Sequence, residues 1–339
     1  MEERNYWLGF SVFSGIGPIK FKKLLAQFGS AKNAWHAPWS HLAKLIGEKL
    51  AVKFDDFRNK LSIEDYAGKL NSKNVSFVIL TDKDYPELLK KIKNPPFVLY
   101  IMGDPSILYS SSEAKPESRE ALSEDSSRQD GYHTVTRQAR TIIPTLAVVG
   151  TRRATQYGRE VTKMFTSELV EAGFDIVSGL AIGIDAISHK VAIETHGKTI
   201  AVLGCGVDCC YPMANQHIYN SIVSGHGCIV SEYPLGLRPT KGSFPARNRI
   251  IAGLSVGVLV TEGAEDSGSL ITADYARKFG RPVFAVPGPI TSSLSKGPYK
   301  LIEKGAKLVT SGQDILKELK IQNSKFKSWE RNEGRTEDS

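Results

Sequence analysis

The most informative residues of the chain are basic side chains grouped around one aromatic ring. One short segment contains Gly236, Arg238, Lys241, Phe244, Arg247, Asn248 and Arg249. Positive side chains can follow a nucleic-acid backbone while a ring stacks on a base, and each stacked base contributes about 1–3 kcal/mol. The segment therefore predicts binding of a single-stranded nucleic acid. The alternative is a charged loop whose Phe244 packs into the core.

A second group of residues suited to an anion follows the apolar run TLAVVG. Gly150, Thr151, Arg152 and Arg153 come directly after this predicted strand, and a helix is predicted to begin near Tyr157. Backbone N–H groups at a helix N-terminus attract anions, and arginine can bind phosphate through two hydrogen bonds. The pattern favours phosphate binding. The alternative is that Arg152 pairs with an acidic neighbour and only holds the loop.

The segment SGLAIGIDAISH contributes Gly179, Gly183, Asp185 and His189. The two glycines permit a tight turn close to the sheet. Asp185 and His189 are four positions apart, so they face the same side of a helix and could form an acid–base pair. We favour the other interpretation, in which both side chains bond to neighbouring loops and fix the shape of a pocket.

Two further loops carry glycines and polar residues after apolar strands. In the first, Gly204 and Gly206 are followed by Asp208, Tyr211 and Asn215, which could line a nucleotide pocket.

The second loop, TEGAEDSGS, begins at Glu262, which could act as a general base. Its small residues could cradle a phosphate; they are Gly263, Ser267, Gly268 and Ser269. We favour the alternative that Glu262 and these hydroxyls organise the loop by capping the next helix.

The elements that must position these residues alternate between short apolar strands and amphipathic helices. This alternation predicts an α/β fold with a doubly wound, largely parallel sheet, in which the carboxyl ends of the strands share one edge. Residues 1–66 are predicted to form a small helical domain with a helix-hairpin-helix, and residues 70–315 the Rossmann-like domain. Residues 110–141 are polar and predict a flexible insertion, and residues 320–339 predict a charged tail.

Composition narrows the function classes. The chain has 339 residues, 41% hydrophobic and 24% charged, which is typical of a globular protein. Lys and Arg total 44 against 36 Asp and Glu, and the net charge of +8 favours a polyanionic partner. We identify no signal peptide and no apolar run long enough to span a membrane, so we expect a cytoplasmic protein. The four cysteines lack zinc-ligand spacing, and we expect no metal or cofactor.

Taken in order, these motifs resemble the DNA processing protein A family (DprA, also called Smf). The resemblance covers roughly residues 70–310 and rests on the Arg152 loop, SGLAIGIDAISH, the YP-x-x-N loop, SEYPLG, FPARNRIIAGLS, VTEGAEDSGSLITADYA and VFAVPG. It implies an extended Rossmann fold that binds single-stranded DNA as a homodimer. It also implies loading of the recombinase RecA onto incoming DNA in natural transformation, without enzymatic activity.

The resemblance also assigns residues. Arg152 is similar to the arginine of the family's phosphate loop, and Gly236, Lys241 and Phe244 fall where the family has its DNA-pocket glycine, lysine and aromatic. Arg247 and Asn248 match the family's FP-x-RNR element.

Three departures and two rival functions accompany this assignment. The polar insertion interrupts the approach to the first core strand, Met213 stands where relatives often carry a lysine, and we expect no winged-helix domain after residue 320. One rival function is a nucleotide N-glycosidase or phosphoribohydrolase that uses Glu262 and Asp185. The other is a module that senses a mononucleotide without turnover.

Overall fold

The computed structural model describes residues 1–109 and 144–319. The predicted insertion at 110–141 and the predicted tail at 320–339 lie outside the described residues.

The chain begins with six helices. They are α1 (Glu3–Val12), α2 (Pro18–Phe28), α3 (Ala31–His36), α4 (Trp39–Ile46), α5 (Glu48–Arg58) and α6 (Ile63–Ser72). Proline at the first position of α2 and serine caps before α3 and α6 account for where these helices begin. An aromatic cluster fills their interior, and Phe21 of α2 stacks on Phe97 with ring centroids 4.1 Å apart. The helices thus share a hydrophobic core with the sheet, and the domain boundary after residue 66 stays a prediction.

A nine-stranded sheet forms the rest of the framework. Its strands are β1 (Val75–Ile79), β2 (Val98–Gly103), β3 (Thr145–Val149), β4 (Asp175–Ser178), β5 (Thr199–Val202), β6 (Gly227–Ser231), β7 (Val258–Val260), β8 (Val283–Ala285) and β9 (Lys307–Leu308). Their spatial order is β1-β2-β6-β5-β4-β3-β7-β8-β9. Strand β2 pairs antiparallel with both β1 and β6, and the strands from β6 to β9 in this order pair parallel. The predicted α/β class with a largely parallel sheet is confirmed.

Helices cover both faces of this sheet. They are α7 (Glu87–Lys90), α8 (Ser106–Tyr109), α9 (Gln156–Glu171), α10 (Ile184–Glu194), α11 (Gln216–Ser221), α12 (Ser243–Leu254), α13 (Gly268–Lys278), α14 (Lys296–Glu303) and α15 (Gly312–Leu319). Alternate residues of β3 belong to different cores, because Leu146 and Val148 pack with α9 and α15, whereas Ala147 and Val149 pack with α12 and α13. Among the residues described, no helix combines the length and apolar character that a bilayer crossing requires.

The strand order reverses direction beside β3. The chain builds the sheet outward from β3 through β4, β5 and β6, and then returns to place β7 on the other side of β3. Ligands of open α/β sheets bind at such a switch point, outside the carboxyl ends of the strands. The loops that follow β3 and β7 are the ones that carry Arg152 and Glu262.

Candidate nucleic-acid interface

An open cavity of about 550 Å³ lies at this switch point. Ten of the residues predicted from the sequence line it: Gly150, Thr151, Arg152, Asp185, Lys241, Phe244, Arg247, Asn248, Gly268 and Ser269. The fold therefore brings together the loops after β3 and β7 with the N-terminal part of α12, although these segments are far apart in the sequence.

The rim of the cavity presents three exposed cations, Arg153 among them, and one ring. Arg152 and Lys241 are exposed, and Phe244 is half-buried rather than packed into the core. The Arg152 guanidinium lies over the Phe244 ring at 5.6 Å from its centroid. Across the described part of the chain, no carboxylate forms an ion pair with Arg152 or Lys241. Both charges are therefore available to an anionic ligand.

Arg247 lines the cavity on its buried side, opposite the exposed rim. It is only 5% exposed, and its Nη1 donates to the carbonyl oxygens of Gly179 and Val202 at 2.5 and 2.6 Å. Its Nε has no hydrogen-bond partner among the described residues. Burial lowers the pKa of this guanidinium, and the nearby Asp185 carboxylate opposes the change. Arg247 thus joins the ends of β4 and β5 and places positive charge under the cavity.

The burial of Arg247 follows from its position in helix α12. The segment FPARNR lies in the first turns of α12, and Pro245 is tolerated there because the N–H groups of a helix's first turn have no intrahelical partner. Helical spacing turns Arg247 and Ile251 toward the interior while Lys241, which precedes the helix, stays exposed. The charges of the segment are therefore divided between the rim and the floor of the cavity.

Asp185 and His189 hold the loop that follows β4. The Asp185 carboxylate accepts a hydrogen bond from the Gly179 N–H at 3.1 Å, and His189 Nε2 accepts one from the Leu180 N–H at 3.3 Å. Because Nε2 accepts, His189 Nδ1 is the donor to Thr199 Oγ1, at 2.7 Å. Burial raises the pKa of Asp185 and lowers that of His189 to about 3. These contacts fit the interpretation that both residues shape the pocket.

The two glycines of this loop are required by close packing. A Cβ on Gly179 would collide with the Arg247 guanidinium, and one on Gly183 would collide with the Thr151 carbonyl. Gly183 also has φ +89°, which favours glycine.

Glu262 supports the start of α9 rather than the start of the next helix. It is buried, and its carboxylate accepts hydrogen bonds from the N–H and Oγ1 of Thr155 at 3.0 and 2.6 Å. Thr155 in turn caps α9 through the Gly158 N–H at 3.1 Å. The following helix, α13, is capped by Ser267 through the Ser269 N–H. Glu262 is not one of the described residues that line the cavity.

Three predicted glycines lie beside the cavity without lining it. Gly204 lies against Ser243, and Gly206 donates to the Leu237 carbonyl at 2.9 Å. Gly236 has φ +75° and donates to Asp208 Oδ1 at 2.9 Å. These contacts position the segment that leads to Lys241.

The cavity also includes residues that were absent from the predicted site. They are Val149, Ala181, Pro245, Ile251, Ala264, Asp266, Ile271, Thr272 and Leu294. Arg153 and Ser267, which the sequence places in the two predicted phosphate-binding loops, line the cavity as well. Leu294 follows β8, and only the strand order indicates that this loop reaches the same edge. Asp266 is exposed and places a carboxylate beside the basic rim.

The four cysteines are free thiols, and three of them are buried. Within residues 1–109 and 144–319, no group of His, Cys, Asp and Glu side chains could hold a metal ion.

Comparison with known proteins agrees with this geometry. The family model for DNA recombination-mediator protein A matches residues 131–320. Protein Smf of Synechocystis sp. is 39% identical over 319 residues, which cover 94% of this chain and 73% of that protein. DNA processing protein DprA of Bacillus subtilis is 36% identical over 274 residues, covering 79% of this chain and 81% of its own.

Two solved structures share the fold. The X-ray structure of DNA processing protein A from Streptococcus pneumoniae has a TM-score of 0.73 and 33% identity, covering 94% of this chain and 99% of that one. DNA processing protein A from Helicobacter pylori, whose structure concerns a single-stranded DNA binding mode, has a TM-score of 0.57 and 29% identity. That match covers 72% of this chain and 95% of the other.

Proposed function

This chain belongs to the DNA recombination-mediator protein A family, and from that membership we propose that it binds single-stranded DNA in the switch-point cavity. The observation that carries the proposal is the rim, where exposed cations, among them Arg152 and Lys241, line the same cavity as one half-buried ring. Single-strand binding sites combine a positive groove for the backbone with rings for the bases.

The phosphate contacts are assigned to Arg152 and Lys241. Both are free of ion pairs among the described residues, so binding a phosphate breaks no existing bond. Arg247 adds positive charge from the floor, and Gly150 and Thr151 bring backbone close to the cavity. A Cβ on Gly150 would lie 2.7 Å from the Glu262 carbonyl oxygen, so only glycine allows this close approach. The cavity, at about 550 Å³, is within the usual range of small-ligand pockets, roughly 300–1,000 Å³.

The base contact is assigned to Phe244. Its ring stands at the rim and already interacts with the Arg152 guanidinium at 5.6 Å. A base that stacks on Phe244 therefore places its own phosphate near the cation. Asn248 supports this arrangement from inside, because its Nδ2 donates to the Gly268 carbonyl at 3.1 Å and so joins α12 to the loop after β7.

The biological role follows from the family. We propose a non-enzymatic, cytoplasmic recombination mediator that acts as a homodimer and loads RecA onto incoming single strands in natural transformation. The role of the family as DNA recombination mediators supports this proposal. The contacts of Glu262 with Thr155, and of Asp185 with Gly179, support structural rather than catalytic use of both carboxylates.

Fluorescence anisotropy with labelled oligonucleotides tests the proposal. Wild type is compared with Arg152→Ala/Lys241→Ala and with the control Lys163→Ala, which removes an exposed lysine of α9 outside the cavity. We expect single strands to bind better than duplex, affinity to fall with salt, and only the double variant to lose binding. Equal binding by the double variant would contradict the site. Release of free base from nucleoside monophosphates would favour the enzyme instead.

Phe244→Ala separates stacking from charge. We expect weaker binding with little change in the salt dependence, because the ring contacts a base and not a phosphate. A large fall in the salt dependence would show that Phe244 mainly supports the fold around Arg152.

A further inference from the structure

A second ring continues the rim beyond Phe244. Tyr211 follows β5, and its ring centroid lies 5.7 Å from that of Phe244, with the ring planes tilted by 37°. Tyr211 is 47% exposed, and Met213, two positions later, is 70% exposed. Phe244 therefore contacts both the Arg152 guanidinium and the Tyr211 ring, and Tyr211 adds exposed apolar surface to this group.

This second ring stands on a fixed loop. Asn215 is 6% exposed, and its Nδ2 donates to the Leu180 carbonyl at 2.8 Å, which attaches the Tyr211 loop to the loop after β4. On the other side, Cys205 Sγ contacts the Cys209 carbonyl at 3.1 Å. Exposed apolar side chains that are grouped together mark binding surfaces, and methionine is common at such surfaces.

We propose that Tyr211 is a second base-stacking residue, which takes the base next to the one at Phe244, and that Met213 extends the apolar surface beside it. The inference rests on the proposed function of the same rim. The spacing of the rings adds a condition: 5.7 Å exceeds the rise of about 3.4 Å per nucleotide within a stacked B-form strand. Successive bases reach both rings only when the strand is extended, so this pair of rings selects single strands over duplex.

The second subsite differs from the first in its dependence on salt. Stacking on Tyr211 neutralises no phosphate, and Met213 carries no charge. Contacts here should increase affinity without increasing the salt slope, whereas each phosphate contact changes that slope by about one.

The test measures anisotropy of labelled thymidine oligomers of increasing length at several salt concentrations. Its variants are Tyr211→Ala, Tyr211→Phe, Phe244→Ala, Met213→Lys and the control Met164→Ala, which removes an apolar side chain of α9 that is 41% exposed. A 2-aminopurine base placed at successive positions reports stacking through quenching of its fluorescence. Thermal unfolding of each variant shows whether it is folded.

We expect Tyr211→Ala to weaken binding of the longer oligomers about 5- to 150-fold with an unchanged salt slope. Tyr211→Phe keeps the ring and should bind like wild type. Met213→Lys should raise the salt slope by about one, because it adds a phosphate contact at this end. One 2-aminopurine position should lose its quenching in Tyr211→Ala but not in Phe244→Ala.

Three results overturn the inference. If wild type binds single strands and Tyr211→Ala binds as Met164→Ala does, the second subsite is absent while the proposed function stands. If Tyr211→Phe loses as much affinity as Tyr211→Ala, the hydroxyl and not the ring makes the contact. If wild type binds no single-stranded DNA, the proposed function fails and this inference fails with it.

Discussion

Replacing Arg247 by methionine should destabilise the protein and make its stability depend on pH. Methionine keeps much of the side-chain volume but removes the charge and every donor. Two carbonyl oxygens, those of Gly179 and Val202, then lose the Nη1 hydrogen bonds of 2.5 and 2.6 Å. The buried Asp185 carboxylate also loses the positive charge that opposes its desolvation.

The size of the effect follows from this burial. Removing one partner from a buried charge network costs about 3–5 kcal/mol, because the remaining charge stays away from water. The unfolding entropy is about 2.1 cal/mol/K per residue, so in a chain of 339 residues each kcal/mol lowers Tm by about 1.4 °C, and we expect a loss of roughly 4–7 °C. Arg152→Met serves as the matched control. Arg152 is exposed, and its loss should change the free energy of unfolding by less than about 0.5 kcal/mol.

The pH dependence has a definite sign. Burial raises the pKa of Asp185 in the folded protein, and without Arg247 this pKa rises further. A carboxyl with a raised folded-state pKa binds its proton more tightly when folded than when unfolded. Its contribution to stability is therefore present at low pH and is lost as pH rises from the unfolded pKa, about 3.9, through the folded pKa. The Tm deficit of Arg247→Met should be smaller at pH 5 than at pH 8.

Differential scanning calorimetry of both variants at the two pH values measures this difference. A Tm close to wild type for Arg247→Met would refute the supporting role of Arg247. A large deficit that is equal at pH 5 and pH 8 would instead show that the lost carbonyl hydrogen bonds, and not Asp185, account for the cost.

Three other changes test further parts of the structure. Asp175→Asn should raise Tm more at pH 8 than at pH 5. Burial raises the Asp175 pKa to about 7, so the stability of the wild type falls as pH rises from the unfolded pKa, about 3.9, to about 7; equal gains would contradict this. Asp266→Asn should tighten single-strand binding roughly 1.5- to 5-fold at low salt, whereas Glu303→Gln, outside the cavity, should not change it. Gly183→Ala should lower the free energy of unfolding by about 1–3 kcal/mol and weaken DNA binding, because Gly183 has φ +89° and an added Cβ would collide with the Thr151 carbonyl. Wild-type stability in calorimetry together with wild-type DNA affinity would show that the loop can adjust.

Much of the fold was accessible from the sequence because its parallel strands are short, apolar and bounded by glycine. Parallel strands align their carboxyl ends, so the loops at Gly150 and Glu262 could be expected at one edge before their order was known. The order itself could not be predicted. Strand β2 runs antiparallel beside β6 although more than a hundred residues separate them, and that pairing depends on tertiary contacts.

The burial and the contacts of individual side chains were the features of the site that were hardest to predict from the sequence. Sequence spacing placed Arg247 with Lys241 along one basic segment, yet the helix that starts at Ser243 turns Arg247 inward. Glu262 was expected to cap the helix that follows it, and it instead holds Thr155 at the start of α9. Helical spacing decides the first case. A contact between the loops after β3 and β7 decides the second, and such a contact has no signature in local sequence.

These contacts between loops bear on how the cavity binds its ligand. Glu262 fixes the loop after β3, Arg247 fixes the ends of β4 and β5, and Asn248 fixes the loop after β7. A site whose backbone is already fixed by such contacts loses little conformational entropy on binding. Its affinity then depends mainly on the few side chains that remain exposed, above all Arg152 and Lys241. Substitutions at the rim should therefore change DNA affinity with little effect on Tm, and substitutions beneath it should change both.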